Sequence, residues 1–250
     1  MSDLKNKVAI VTGARRGIGK AIALKLAKQG AKVVVTDISK EDCQKVVEEI
    51  ESLGSEGLAL KLDVTNEEEI KQTVKTVKEK FGRIDILANN AGIFIQQELD
   101  KMETSAIDKE LTINLRGAIL CTKYVLPEMK SQNYGKIVNT ASVAGFVGFE
   151  MASVYCATKG AIIAMTKELA LELGKYKINV NAVAPGVIAT DMTKDMLAQE
   201  EVKSGLMANI PYGRIGKPED IANTVAFLCS EEGEYITGHT IPVDGGWLTR

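Results

Sequence analysis

A chain of 250 residues with 45% hydrophobic side chains can bury a sizeable core, and its length fits one domain spanning residues 1–250. Its 33 acidic and 31 basic residues are interspersed and sum to −2, leaving no basic block to follow a phosphate backbone, so nucleic acid is excluded as an expected partner. No apolar run reaches the ~20 residues of a membrane span and the opening residues lack a secretory pattern, so no membrane association and a cytoplasmic location are expected.

Seven short runs rich in β-branched residues recur along the chain: KVAIVT at 7–12, AKVVVTD at 31–37, GLALKLDV at 57–64, RIDILANNAG at 83–92, GKIVNTAS at 135–142, KINVNAVAPG at 177–186 and HTIPVDGG at 239–246. Runs this continuously apolar suit strands covered on both faces. Between them lie helical patterns. GKAIALKLAKQG stops on Gly30, and TNEEEIKQTVKTVKEKFG opens on a Thr/Asn cap followed by acids. Such βα repetition predicts an α/β fold: a doubly wound, seven-stranded parallel sheet with helices on both faces and ligands at the carboxyl ends of its strands. The segment at about 188–211 lacks a strand and is rich in Met and Ala, which predicts a helical flap over the site.

The first strand runs into TGARRGIG at 12–19, where glycines allow backbone N–H groups to approach a diphosphate at a helix N-terminus. Gly13, Gly17 and Gly19 depart from the usual GxGxxG spacing, and an ordinary tight turn has a similar look. Gly13, Arg15, Arg16, Gly17, Ile18 and Gly19 are the candidate contacts here. Asp37 follows Gly19 by 18 residues, close to the ~20-residue spacing of an acid that meets the ribose 2′-hydroxyl of NAD. Arg15 and Arg16 instead suit the 2′-phosphate of NADP, but long side chains can turn to solvent while the carboxylate repels phosphate. NAD is therefore expected, with NADP as the alternative, and a turn-forming acid as the bland reading of Asp37. Asp63 in LDV, with Val64 beside it, either meets the adenine or caps the next helix.

YCATK at 155–159 places Tyr155 and Lys159 on one helix face. A phenol has an ordinary pKa of ~10, and a nearby ammonium favours its ionised form, which suits proton exchange with a substrate oxygen. A chance YxxxK is equally easy to write. Ser142, at the end of GKIVNTAS, either donates to a substrate carbonyl or simply closes a strand.

The series TGARRGIG, LDV, NNAG at 89–92, IN at 113–114, TAS ending in Ser142, YCATK and PGVIAT at 185–190 resembles the short-chain dehydrogenase/reductase family from about Lys7 to Gly246. That resemblance implies a Rossmann-like enzyme that interconverts a secondary alcohol and its ketone. Tyr155 would be the general acid/base, Ser142 would orient the substrate oxygen, Lys159 would lower the tyrosine pKa and hold nicotinamide ribose, and Asn114, in a helix, would hold a relay water. It also implies cofactor contacts from Asn90 with its neighbours Ala91 and Gly92, from Pro185 and Gly186, from the Ile188 backbone and from Thr190, and a homotetramer.

Within the family the chain resembles 3-oxoacyl carrier-protein reductases, which typically use NADPH and carry an arginine for the acidic carrier where this chain has Leu171 before Glu172. That departure and Asp37 favour an NAD(H)-linked enzyme acting on a hydroxysteroid, a polyol or sugar, or a hydroxyacyl compound. The NADPH-dependent 3-oxoacyl reductase is the alternative, and a non-catalytic dinucleotide sensor or scaffold is the other. Phe146, Phe149, Met151, Met192 and Met196 are candidate pocket walls or core residues. Asn89 either stabilises the strand end or meets the cofactor. Cys156 reads as packing or a redox-sensitive thiol, His239 as a surface or packing residue, and Trp247 as a subunit contact. The four cysteines form no CxxC pair and no cluster with His239, so no metal is expected.

Overall fold

A computed structural model describes residues 3–249. Seven parallel strands form one sheet: β1 (Val8–Thr12), β2 (Lys32–Asp37), β3 (Gly57–Lys61), β4 (Ile86–Asn89), β5 (Gly135–Thr140), β6 (Ile178–Pro185) and β7 (Thr240–Val243). Their order is β3-β2-β1-β4-β5-β6-β7. The chain winds outward from β1 in one direction and then from β4 in the other, so the connections diverge between these two strands and open a crevice at their carboxyl ends.

Alternation along β1 explains why the sheet is covered twice. Ala9 and Val11 face one core with Val33, Val35, Leu26, Ile50 and Val225, whereas Val8 and Ile10 face another with Val34, Ile70, Val125 and Met129. The first core is built by α1 (Gly17–Lys28), α2 (Lys40–Ser52) and α9 (Pro218–Cys229). The second is built by α3 (Glu67–Phe81), α5 (Gly117–Gln132) and the end of α6 (Ser153–Leu173). As expected from TNEEE, Asn66 caps α3 by accepting from the N–H groups of Glu68 and Glu69, and Gly82 ends the helix at φ 75.

Several boundaries differ from the apolar runs. GLALKLDV leaves the ladder after Lys61, so Asp63 and Val64 sit in a loop, and GKIVNTAS leaves it after Thr140. Ser142 therefore does not end a strand: it accepts from Ala144 N at 3.1 Å and caps a short 3₁₀ turn, Val143–Gly145. Asn114 lies not in a regular α-helix but in a π-helical turn, Thr112–Arg116, between α4 (Thr104–Leu111) and α5. The segment at about 188–211 is helical only in α7 (Lys194–Leu197) and α8 (Glu200–Ala208), while Ile188 bridges to Gly216.

Candidate active site

A cavity of about 350 Å³ lies at the carboxyl ends of the central strands and runs from Asp37 to Tyr155. Around the start of α1 its wall depends on close approaches of backbone. Gly13 takes φ +64, and a Cβ there would lie 2.8 Å from Ala91 Cα, so the β1 and β4 loops meet only because that side chain is missing. Asn90 fastens the same junction, donating from Nδ2 to the carbonyls of Thr12 (3.0 Å) and Gly13 (3.1 Å). Gly17 and Ile18 line the cavity at the start of α1, whereas Gly19 lies behind it, where a Cβ would fall 2.3 Å from the Gly13 carbonyl.

The residues present suit a dinucleotide. No side chain caps the N-terminus of α1 and its first turn holds no acid, which leaves its N–H groups to meet a diphosphate. At the far end, Asp37 accepts from Ile38 N (2.8 Å) and Arg15 N (3.4 Å). Arg15 does not turn away to solvent, whereas Arg16 stays exposed. Arg15 Nε lies 3.3 Å from Asp37 and its Nη1 3.5 Å from Asp42, while Arg16 Nη1 reaches Asp191 at 3.1 Å, because carboxylates stand within reach of each guanidinium. Asp63 and Val64 line the wall. Asp63 does not cap α3, since its Oδ1 accepts from Thr65 N and Oγ1 instead. Asn90, Ala91, Gly92, Pro185, Gly186, Ile188 and Thr190 all border the same cavity.

At the other end stand Ser142, Tyr155 and Lys159. Lys159 Nζ donates to the Thr140 carbonyl at 2.7 Å and lies 5.5 Å from the centre of the Tyr155 ring. Burial dominates both groups. It pushes the phenol up to about 12, against a hydrogen bond from Ser142, and it pulls the ammonium down to about 8, against the charge of Glu110. The protein's own groups thus leave the phenol raised, not depressed as the YxxxK spacing suggests, because desolvation exceeds what its neighbours return. Asn114 stands behind the wall with its side chain committed: Oδ1 accepts from Ile93 N and Nδ2 donates to Ile93 O, each at 2.8 Å.

Of the candidate wall residues only Met192 borders the cavity. Phe149 instead stacks on Trp247 with ring centres 5.8 Å apart. Asn89 is structural: its Nδ2 donates to Asn139 Oδ1 (2.9 Å) and Thr122 Oγ1 (3.0 Å). His239 is exposed before β7, and Cys156 is half-buried on α6. Sequence reasoning missed Thr140, whose carbonyl holds Lys159, and Phe94, whose ring meets Tyr155 edge-on at 4.9 Å. It also missed Glu110, a charge one turn before Asn114 whose burial nothing in the sequence marks.

Residues 13–248 match the family model described as "Enoyl-(Acyl carrier protein) reductase". A reductase from Thermotoga maritima, named 3-oxoacyl-[acyl-carrier-protein] reductase, is 43% identical over 243 residues, which is 97% of this chain and 98% of that protein. The chain belongs to the short-chain dehydrogenase/reductase family. A structure described as a putative short-chain alcohol dehydrogenase from Sinorhizobium meliloti superposes with a TM-score of 0.96 at 38% identity, covering 99% of this chain and 98% of the other. A putative NAD(P)-dependent gluconate 5-dehydrogenase from Beutenbergia cavernae, described with bound NADP, gives 0.95 at 33% identity over 99% of both chains. The protein is an oxidoreductase acting on CH–OH groups with an NAD(P) nucleotide.

Proposed function

We propose that this enzyme reduces 3-oxoacyl thioesters to 3-hydroxyacyl thioesters with NADH. The observation that carries the substrate class is the near full-length likeness to a relative of that name, which outweighs the hydroxysteroid and polyol readings. Bound in the cavity, the nucleotide supplies the hydride. Tyr155 protonates the carbonyl oxygen as it gains charge, Ser142 donates to the same oxygen, and Lys159 supplies positive charge beside the phenol. Asn114 keeps Ile93, and with it the loop leaving β4, in place. Gly13, Arg16, Gly17 and Ile18, which line the cavity, would hold the diphosphate, Asn90 to Gly92 the nicotinamide ribose, and Pro185, Gly186, Ile188 and Thr190 the carboxamide side.

Asp37 supports NAD. Its carboxylate is held by two backbone N–H groups, from Arg15 and Ile38, at the end of β2, where it would accept a ribose 2′-hydroxyl and would repel a 2′-phosphate. Arg15, drawn onto Asp37 and Asp42, is occupied before any phosphate arrives. The segment at about 188–211 closes over the acyl chain in this reading, and the assembly is a cytoplasmic homotetramer.

Acetoacetyl-coenzyme A, assayed with NADH and with NADPH by nicotinamide absorbance, tests both halves. Turnover with NADH favoured by about tenfold in kcat/KM is expected. No reduction of 3-oxoacyl thioesters alongside oxidation of gluconate would overturn the substrate assignment, and a preference for NADPH would overturn the nucleotide assignment. Tyr155→Phe is expected to lower kcat by roughly 10³-fold while leaving nucleotide affinity unchanged.

A further inference from the structure

Among the described residues, four buried side-chain oxygens have no hydrogen-bond partner, and only Glu110 Oε2 belongs to an ionisable group. Glu110 is 0% exposed, at the end of α4 and one turn before Asn114. Its other oxygen, Oε1, accepts from Ile95 N at 3.0 Å. Asn114 holds both the N–H and the carbonyl of Ile93. The backbone on either side of Phe94 is therefore gripped by two side chains one turn apart, and Phe94 projects between these grips onto the Tyr155 ring. A carboxyl buried with one oxygen unmet is an expensive way to hold a single N–H group, since an apolar side chain would avoid the desolvation.

We propose that Glu110 is a positioning residue for the acid/base step, setting Phe94 against Tyr155 through Ile95 and presenting a buried negative charge to the Tyr155–Lys159 pair. The inference rests on the acid/base reading of Tyr155 given above. The titratable groups coupled to Glu110 through charge lie on α6: Lys159, whose charge acts on it and which it favours in the charged form, and Tyr155, which it favours in the neutral form, with Cys156 acting on the tyrosine. Residues 93–95 carry no titratable side chain, and Asp108 and Lys109 on α4 are exposed.

The sign of the effect follows from charge alone. Burial pushes the Glu110 carboxyl up, with the Ile95 N–H and the Lys159 charge opposing it, and in its ionised form this carboxyl stabilises the pair while it holds two protons and destabilises it once both are gone. Removing that charge moves both macroscopic ionisations of the pair to lower pH, whichever residue loses its proton first.

The experiment compares pH profiles of kcat/KM for Glu110→Gln, Glu110→Leu and Phe94→Ala in the full-length enzyme, with folding checked by thermal unfolding and nucleotide affinity by fluorescence titration. Glu110→Gln keeps an acceptor for Ile95 N but no charge. Its profile is expected to move to lower pH by roughly one unit, with kcat at the optimum within about threefold of the parent. Glu110→Leu is expected to show the same displacement and to lose about tenfold in kcat, while Phe94→Ala loses kcat with its profile in place. If Glu110→Leu does not fold, Glu110→Gln alone decides. An unmoved profile in Glu110→Gln, or one moved to higher pH, overturns the proposal. Tyr155→Phe separates the two levels: full activity there would sink the acid/base reading itself, whereas an inactive Tyr155→Phe with an unmoved Glu110→Gln profile sinks only the role of Glu110.

Discussion

Lys159 and Thr166 stand two turns apart on α6 and anchor two buried polar clusters of opposite character. The Thr166 cluster is neutral. Asn139 donates to Thr166 Oγ1 at 3.0 Å, Thr166 donates to the Ile162 carbonyl at 2.8 Å, and Asn89 donates to Asn139 and Thr122, tying β4 and β5 to α5 and α6. Its single unmet atom, Asn89 Oδ1, carries no charge. The Lys159 cluster sets a buried ammonium and a buried carboxyl beside a half-buried phenol, and each is displaced from its ordinary ionisation. Closed neutral networks fix strands at modest cost, whereas buried ionisable groups weaken the fold and gain reactivity.

The largest test of this contrast is Lys159→Met. An ammonium whose pKa falls from 10.5 to about 8 on folding is favoured in the unfolded chain. It therefore penalises the native state fully below about 8, and the penalty fades as the pH rises from there toward 10.5. The penalty corresponds to roughly 3 kcal/mol, and losing the hydrogen bond to Thr140 costs about 1 in return. Lys159→Met is expected to unfold at higher denaturant near neutral pH, by about 2 kcal/mol net, and to lose turnover by at least ~10²-fold. A destabilised Lys159→Met would show that the ammonium helps to hold the fold, and the contrast would fail.

Asn139→Ala probes the other cluster with the opposite signature. Asn139 is fully buried between Asn89 and Thr166, so the change breaks two hydrogen bonds and opens a small cavity. A loss of about 2–4 kcal/mol is expected by urea unfolding, with the pH profile of kcat/KM in place. A moved profile would mean that the two clusters titrate as one.

The fold was legible because a parallel sheet covered on both faces writes continuous apolar runs, and all seven lie where the strands do. Their carboxyl ends were less legible, since LDV and TAS remain apolar or small after the chain has left the ladder to make turns. In the site, the glycine turn and YCATK are each commonplace alone and become legible through their order and spacing along the βα array. Thr140 and Ile95 act through backbone atoms that no side chain advertises, and Glu110 sits in KELTIN, where a charge reads as solvated surface until packing buries it. The displaced ionisation of Tyr155 was out of reach for the same reason, since burial sets its direction and spacing does not reveal burial.

Thr166→Val gives the smallest expected effect and the cleanest control. Valine fills the same space, and the Ile162 carbonyl stays within the helical ladder, so the cost comes from Asn139 Nδ2 losing its acceptor. About 1–2 kcal/mol of stability is expected to go, read as a lower denaturant midpoint with an unchanged slope. Because no charge is altered, the gain in stability between pH 8 and 10.5 contributed by Lys159 should persist in the variant at full size. The same measurement on Thr166→Val carrying Lys159→Met should lose that gain, and the two stability changes should add, because Thr166 and Lys159 share no hydrogen-bond partner. Non-additivity above about 0.5 kcal/mol would show that α6 transmits strain from one cluster to the other.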